Sequence, residues 1–64
     1  MVKINGQPSD ADGKSIAEYL AGTQYSLKRI AVELNGRIAP KAKYGETILK
    51  DGDVLEIVSF VGGG

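Results

Sequence analysis

Two Asn-Gly pairs, each directly after a segment of alternating apolar and polar residues, constrain the fold of this chain more than any other feature. Such alternation is typical of a strand with one buried face, and Asn-Gly favours a tight hairpin because both residues tolerate a positive φ. The first pair, Asn5-Gly6, follows a strand predicted at residues 2–4. Its return strand, predicted at 7–11, is weak, because Pro8 cannot donate a ladder hydrogen bond and indicates a sheet edge.

The second pair, Asn35-Gly36, follows the clearest strand of the chain, at residues 30–34. A brief return strand is predicted at 37–39, ended by the proline that follows it. The next ten residues have a mixed pattern, in which Ile48 and Leu49 are the expected contribution to the core.

A short helix is predicted between the two hairpins. Ser15 has the character of an N-cap, and Glu18, three residues later, completes a capping box. Ile16 and Leu20 form an apolar stripe at helical spacing, and Gly22 is the expected C′ residue. A helix of about two turns is marginal in water, so its apolar stripe must rest on a sheet.

The last predicted strand covers residues 54–61. Leu55 and Ile57 share the face expected to be buried, whereas Val58 and Phe60 share the opposite face. An exposed valine and phenylalanine on a small domain indicate a surface for a protein partner. The alternative is that Phe60 folds over the sheet edge as peripheral core.

The order of hairpin, helix and further strands predicts an α+β domain at residues 1–61, followed by a flexible glycine tail at 62–64. The predicted sheet is mixed, has four to five strands, carries one main helix on one face and leaves its other face in water. The tyrosines are expected at the rim of the core: Tyr19, Tyr25 and Tyr44.

Composition excludes several classes of function. Eight basic and eight acidic residues give a formal charge of zero, which argues against a nucleic-acid binder. The chain has no Cys and no His, so it lacks the usual metal ligands and nucleophile–base pairs, and we expect neither a metal site nor an enzyme. No apolar run is long enough to span a membrane and no secretion signal is visible, so a cytoplasmic protein is expected.

The charged side chains do not form an obvious site. Arg37, Lys41 and Lys43 could form a local basic patch, although a solvated surface is the better interpretation of scattered charge. Glu33 and Glu56 are expected to face water, and we assign neither of them a role in proton transfer.

The terminal glycines have two interpretations. A frayed end is the ordinary one. However, Gly62, Gly63 and Gly64 directly follow a strong strand, and their lack of side chains would let the tail thread a narrow channel. Extended from Val61, the tail would reach about 13 Å at roughly 3.3 Å per residue. The α-carboxylate at its end is ionised at neutral pH and can attack an electrophilic phosphate, which would make this protein a substrate carried to another enzyme.

Three segments of the chain together resemble the ThiS family, the small sulfur carrier proteins of thiamine biosynthesis. They are the strand and turn at 30–36, the run from Glu46 to Asp53, and the ending from Glu56 to Gly64. The resemblance implies a ubiquitin-like β-grasp fold and a monomer when free. It also implies that Val58, Phe60 and Gly63 meet partner enzymes. Gly62 departs from the family pattern as a third glycine that lengthens the tail, and we expect it to contact the partners as well.

The same resemblance implies a reaction sequence at Gly64. An E1-like adenylating enzyme of the ThiF type would consume ATP to convert the carboxylate to an acyl-adenylate, and a sulfur donor would then leave a thiocarboxylate. A thiazole synthase of the ThiG type would accept that sulfur. The carrier itself would bind no cofactor, no nucleic acid and no membrane.

Two alternatives remain open from the sequence. One is a sulfur carrier of the same fold for another route, such as the small subunit of molybdopterin synthase or a carrier for tRNA thiolation. The other is a ubiquitin-like interaction module whose glycines are incidental.

Overall fold

A computed structural model describes residues 1–60, so the predictions for Val61, Gly62, Gly63 and Gly64 lie outside the described residues. One α-helix, α1 (Ile16–Ala21), accompanies a five-stranded sheet. The strands are β1 (Val2–Ile4), β2 (Gln7–Ser9), β3 (Ile30–Leu34), β4 (Arg37–Ile38) and β5 (Val54–Ser59). They lie in the order β2-β1-β5-β3-β4, and β5 is parallel to β1 and antiparallel to β3. The predicted α+β fold with a mixed sheet is confirmed, and its arrangement is that of a β-grasp domain.

Both Asn-Gly pairs form the predicted turns. Asn5 and Asn35 have φ angles of 51° and 52°, and the glycines that follow them have φ angles of 81° and 84°. A two-residue hairpin loop in a type I′ turn requires a positive φ at both residues. Asparagine and glycine adopt this conformation at the lowest energetic cost. The return strand β2 is shorter than predicted, and its Pro8 lies on the edge of the sheet as expected.

The helix begins with the predicted capping box. The Glu18 backbone N–H donates to Ser15 Oγ at 3.0 Å, and the Ser15 N–H donates to Glu18 Oε1 at 2.9 Å. The helix ends at Ala21, and Gly22 is its C-cap rather than the expected C′ residue. The φ of −88° at Gly22 does not use the left-handed freedom of glycine. Ile16 and Leu20 are buried, so α1 packs its apolar stripe on the inner face of the sheet.

Two expectations about the core need correction. Leu49 is fully buried as predicted, but Ile48 is 49% exposed. The segment around them is extended and bonds to residues 13–15, so neighbouring side chains point to opposite sides and only one of the two can enter the core. Tyr44, expected at the rim, is 3% exposed and belongs to the core, whereas Tyr19 and Tyr25 are partly buried at its margin.

No helix among residues 1–60 combines the length and the apolar character needed to cross a membrane.

Candidate protein-docking site

The strand β5, which leads to the predicted tail, occupies the centre of the sheet. Leu55 and Ile57 are buried against α1, whereas Val58 and Phe60 are 52% and 53% exposed on the opposite side. Phe60 is not part of the core cluster, so it does not fold back as the alternative interpretation required. The structure thus places the two predicted docking residues at the surface, while their role in binding stays a prediction.

The last described residue is still held by the sheet. β5 ends at Ser59, which pairs with Ile30 of β3, and the backbone N–H of Phe60 donates to the Arg29 carbonyl at 2.6 Å. The antiparallel ladder therefore continues one residue beyond the strand, to Phe60. The predicted extension of the strand to Val61 lies outside the described residues.

The two asparagine turns hold β5 from both sides. β1 ends at Ile4, and beyond that point Asn5 Oδ1 accepts a 2.7 Å hydrogen bond from the Ile57 N–H. On the other side, Asn35 Oδ1 accepts a 2.9 Å bond from the Val54 N–H. Each side chain satisfies a strand N–H that would otherwise lack a protein partner, so the turns fix the position of β5.

Asp53 connects the turn before β5 to the β3–β4 hairpin. Its carboxylate accepts hydrogen bonds from Asn35 Nδ2 at 3.0 Å and from the Lys50 N–H at 2.9 Å. The hydrogen bond from the Asn35 amide lowers the pKa of this carboxyl below its ordinary value. Burial opposes this shift in part, and the hydrogen bond from the Lys50 N–H adds to it. The sequence alone does not reveal the roles of Asn5, Asn35 and Asp53, because each depends on contacts between distant segments.

The side of the sheet opposite α1 forms a continuous surface, which we name the outer sheet face. Its central residues come from β3, β4 and β5: Ala31, Glu33, Ile38, Val54, Glu56 and Val58. Ala31 pairs with Val58, and Glu33 pairs with both Ile38 and Glu56. Phe60 continues the same alternation beyond Val58, so this face extends to the last described residue.

A shallow open pocket of about 250 Å³ lies at the C-terminal end of α1, lined by Ala17, Leu20, Ala21, Thr23, Tyr25 and Leu27. Its polar groups are already engaged, since the Thr23 hydroxyl donates to the Leu20 carbonyl at 2.7 Å and the Tyr25 hydroxyl accepts from Asn5 Nδ2 at 3.4 Å. Within residues 1–60, no group of three or more potential metal-binding side chains occurs. The outer sheet face is therefore the better candidate site.

Comparisons with known proteins agree on one family. A model of the ThiS family matches residues 2–64. The sulfur carrier protein ThiS of Bacillus subtilis (strain 168) is 42% identical over 66 residues, with 100% of both chains covered. The crystal structure of the thiamine biosynthesis protein ThiS from Geobacter metallireducens has a TM-score of 0.81 and 33% identity, covering 98% of this chain and 97% of that one.

A similarity of a different kind concerns longer proteins. A thiazole synthase of Magnetococcus marinus is 33% identical over 64 residues, which are 98% of this chain but only 20% of that protein. The chain thus spans about a fifth of the length of the thiazole synthases that it matches.

Proposed function

The chain belongs to the ThiS family, and on that basis we propose that it is a cytoplasmic sulfur carrier of thiamine biosynthesis whose reacting group is the C-terminal carboxyl of Gly64. The observation that carries this proposal is the family match, which extends through the terminal glycines. The full-length alignment with the sulfur carrier of Bacillus subtilis supports it.

Two steps would load the carrier. A carboxylate oxygen of Gly64 attacks the α-phosphorus of ATP on an E1-like adenylating enzyme, which forms the acyl-adenylate and releases pyrophosphate. Hydrosulfide supplied by a donor then attacks the carbonyl carbon, AMP leaves with the electron pair of the broken carbon–oxygen bond, and the S–H proton passes to water. The product is a thiocarboxylate, a soft nucleophile that a thiazole synthase can use. The carrier supplies no catalytic side chain and holds no cofactor in these steps.

The fold supports such a role because β5 is fixed at every described position. Asn5 and Asn35 accept hydrogen bonds from backbone N–H groups of β5, and the Arg29 carbonyl accepts one from Phe60, the next residue. An enzyme that binds the domain would therefore also determine where the tail begins. We propose that Val58 and Phe60 contact the partner enzymes, and that Gly62 and Gly63 allow the tail to enter their active sites. The thiazole synthase of Magnetococcus marinus, which contains a segment similar to this chain, supports thiazole synthase as one of these partners.

The decisive measurement is the intact mass after incubation with ATP, the adenylating enzyme of the same organism and a sulfide source. We expect one oxygen to be replaced by sulfur, and fragmentation should locate the change at Gly64. A variant that lacks Gly63 and Gly64 should keep its melting temperature and gain no sulfur. Sulfur found on another residue, or transfer by the truncated variant, would contradict the proposal.

A further inference from the structure

The two Asn-Gly turns are chemically reactive as well as structural. Asparagine is a thermolabile residue, and a glycine after it leaves the next backbone nitrogen free to attack the side-chain amide. Both pairs, Asn5-Gly6 and Asn35-Gly36, lie in exposed turns. We propose that Asn5 is a site of spontaneous deamidation in the folded domain, whereas Asp53 protects Asn35 from the same reaction.

The reaction needs only water and the chain itself. Hydroxide removes the proton from the glycine N–H, and the nitrogen attacks Cγ of the asparagine. The bond between Cγ and the side-chain nitrogen breaks, and this nitrogen leaves as ammonia after taking a proton from water. Water then opens the succinimide ring at either carbonyl, which gives aspartate or isoaspartate. Within residues 1–60, neither Gly6 nor Gly36 donates its N–H to a hydrogen bond, so both nitrogens are available for attack.

The two turns are otherwise closely matched. The φ angles are 51° and 81° at Asn5 and its glycine, and 52° and 84° at Asn35 and its glycine. In both turns the asparagine Oδ1 accepts a hydrogen bond from a backbone N–H of β5, from Ile57 at 2.7 Å and from Val54 at 2.9 Å. A difference in reactivity must therefore come from what the side-chain nitrogen contacts.

The contacts of the two side-chain nitrogens differ in charge and in length. Asn35 Nδ2 donates to the buried carboxylate of Asp53 at 3.0 Å, which is a charge-assisted bond. Asn5 Nδ2 donates only to the uncharged hydroxyl of Tyr25, at 3.4 Å. Because the side chain must turn toward the glycine nitrogen before it can react, the stronger bond holds Asn35 back. Asp53, whose pKa lies below its ordinary value, is ionised and also opposes the negative charge that develops on the attacked amide.

Deamidation at Asn5 would weaken the hold of the β1–β2 turn on β5. Isoaspartate adds one carbon atom to the backbone of the turn and so moves the oxygen that accepts from the Ile57 N–H. β1 ends at Ile4 and does not reach this N–H, which would lose its protein partner. The loss of an acceptor from a strand N–H lowers stability, so the isoaspartate form should melt below the parent.

The test follows both sites in one sample. The parent is aged in mildly alkaline buffer, once folded and once in concentrated guanidinium chloride, and is then digested with trypsin. Cleavage after lysine and arginine yields the peptides 4–14 and 30–37, each of which contains one Asn-Gly pair. Chromatography and mass spectrometry give the rate of conversion at each asparagine. Asn5→Gly, which suits the positive φ at that position, removes the reacting amide and serves as the control for peptide 4–14.

In the folded parent, we expect Asn5 to react about five-fold faster than Asn35 or more, since one unit charge beside a reacting group changes a barrier in water by roughly that factor. In the denatured chain the two rates should be similar, because neither contact survives. Asp53→Asn keeps the shape of the side chain and removes its charge, and it should raise the rate at Asn35 alone.

Three results would overturn the inference. Equal rates at the two sites of the folded parent, or a faster reaction at Asn35, would show that Asp53 gives no protection. An Asp53→Asn variant whose rates rise equally at both sites would show that the reaction follows opening of the whole fold. An isoaspartate form of Asn5 that melts at the same temperature as the parent would show that β5 does not depend on this turn.

Discussion

Asp53 shows how a single side chain can hold two distant segments together. It is 8% exposed, and it accepts hydrogen bonds from Asn35, in the β3–β4 turn, and from Lys50, in its own turn. Asn35 in turn accepts a bond from the Val54 N–H, so the same few atoms determine where β5 begins. A buried carboxylate with two donors stabilises the fold, and its removal leaves both donors without this acceptor.

Replacement of Asp53 by alanine should lower the free energy of unfolding by about 1–3 kcal/mol at neutral pH. Because the folded pKa of Asp53 lies below its ordinary value of 3.8, its contribution is present above that value and is lost as the pH falls through the folded pKa. The difference between parent and variant in urea unfolding should therefore shrink in acid. Asp10→Ala, at an exposed carboxylate, should change stability by less than about 0.5 kcal/mol. An equal deficit at neutral and acidic pH would contradict this explanation.

At the scale of the element, α1 shows what local sequence can determine. Six residues are too few for a stable isolated helix, so its stability depends on the cap and on packing. Both signals lie within the six residues 15–20, as the capping box of Ser15 and Glu18 and the buried pair Ile16 and Leu20. Sequence reasoning found all four residues, because helix capping depends on neighbours in the chain.

The cap can be tested against a serine that makes no such bond. Ser15→Ala should destabilise the domain by about 0.5–2 kcal/mol, because the Glu18 N–H loses its acceptor. Ser26 precedes the 3₁₀ turn at Leu27–Arg29 without a side-chain capping bond, so Ser26→Ala should have a smaller effect. Chemical denaturation of both variants measures the difference. Equal losses at the two serines would show that the capping bond contributes nothing.

At the scale of the whole molecule, the sequence predicts the class of fold and which side chains of β5 face the core. It does not predict which residues of neighbouring strands lie opposite each other. Alternation assigns Leu55 to the core and Val58 to the surface without knowledge of any neighbour. The opposition of Glu33 and Glu56 depends on how β3 and β5, far apart in the chain, align with each other. Ile48 was assigned wrongly for the same reason, since its direction follows from pairing with residues 13–15.

The aligned glutamates of β3 and β5 also affect the stability of the whole sheet. Because two like charges lie directly opposite each other, the double variant Glu33→Gln/Glu56→Gln should be more stable than the parent by about 0.2–1 kcal/mol. Thermal unfolding at low salt gives the clearest measurement, because screening weakens the repulsion as salt is added. A double variant less stable than its parent would mean that the two carboxylates do not repel each other in the folded domain.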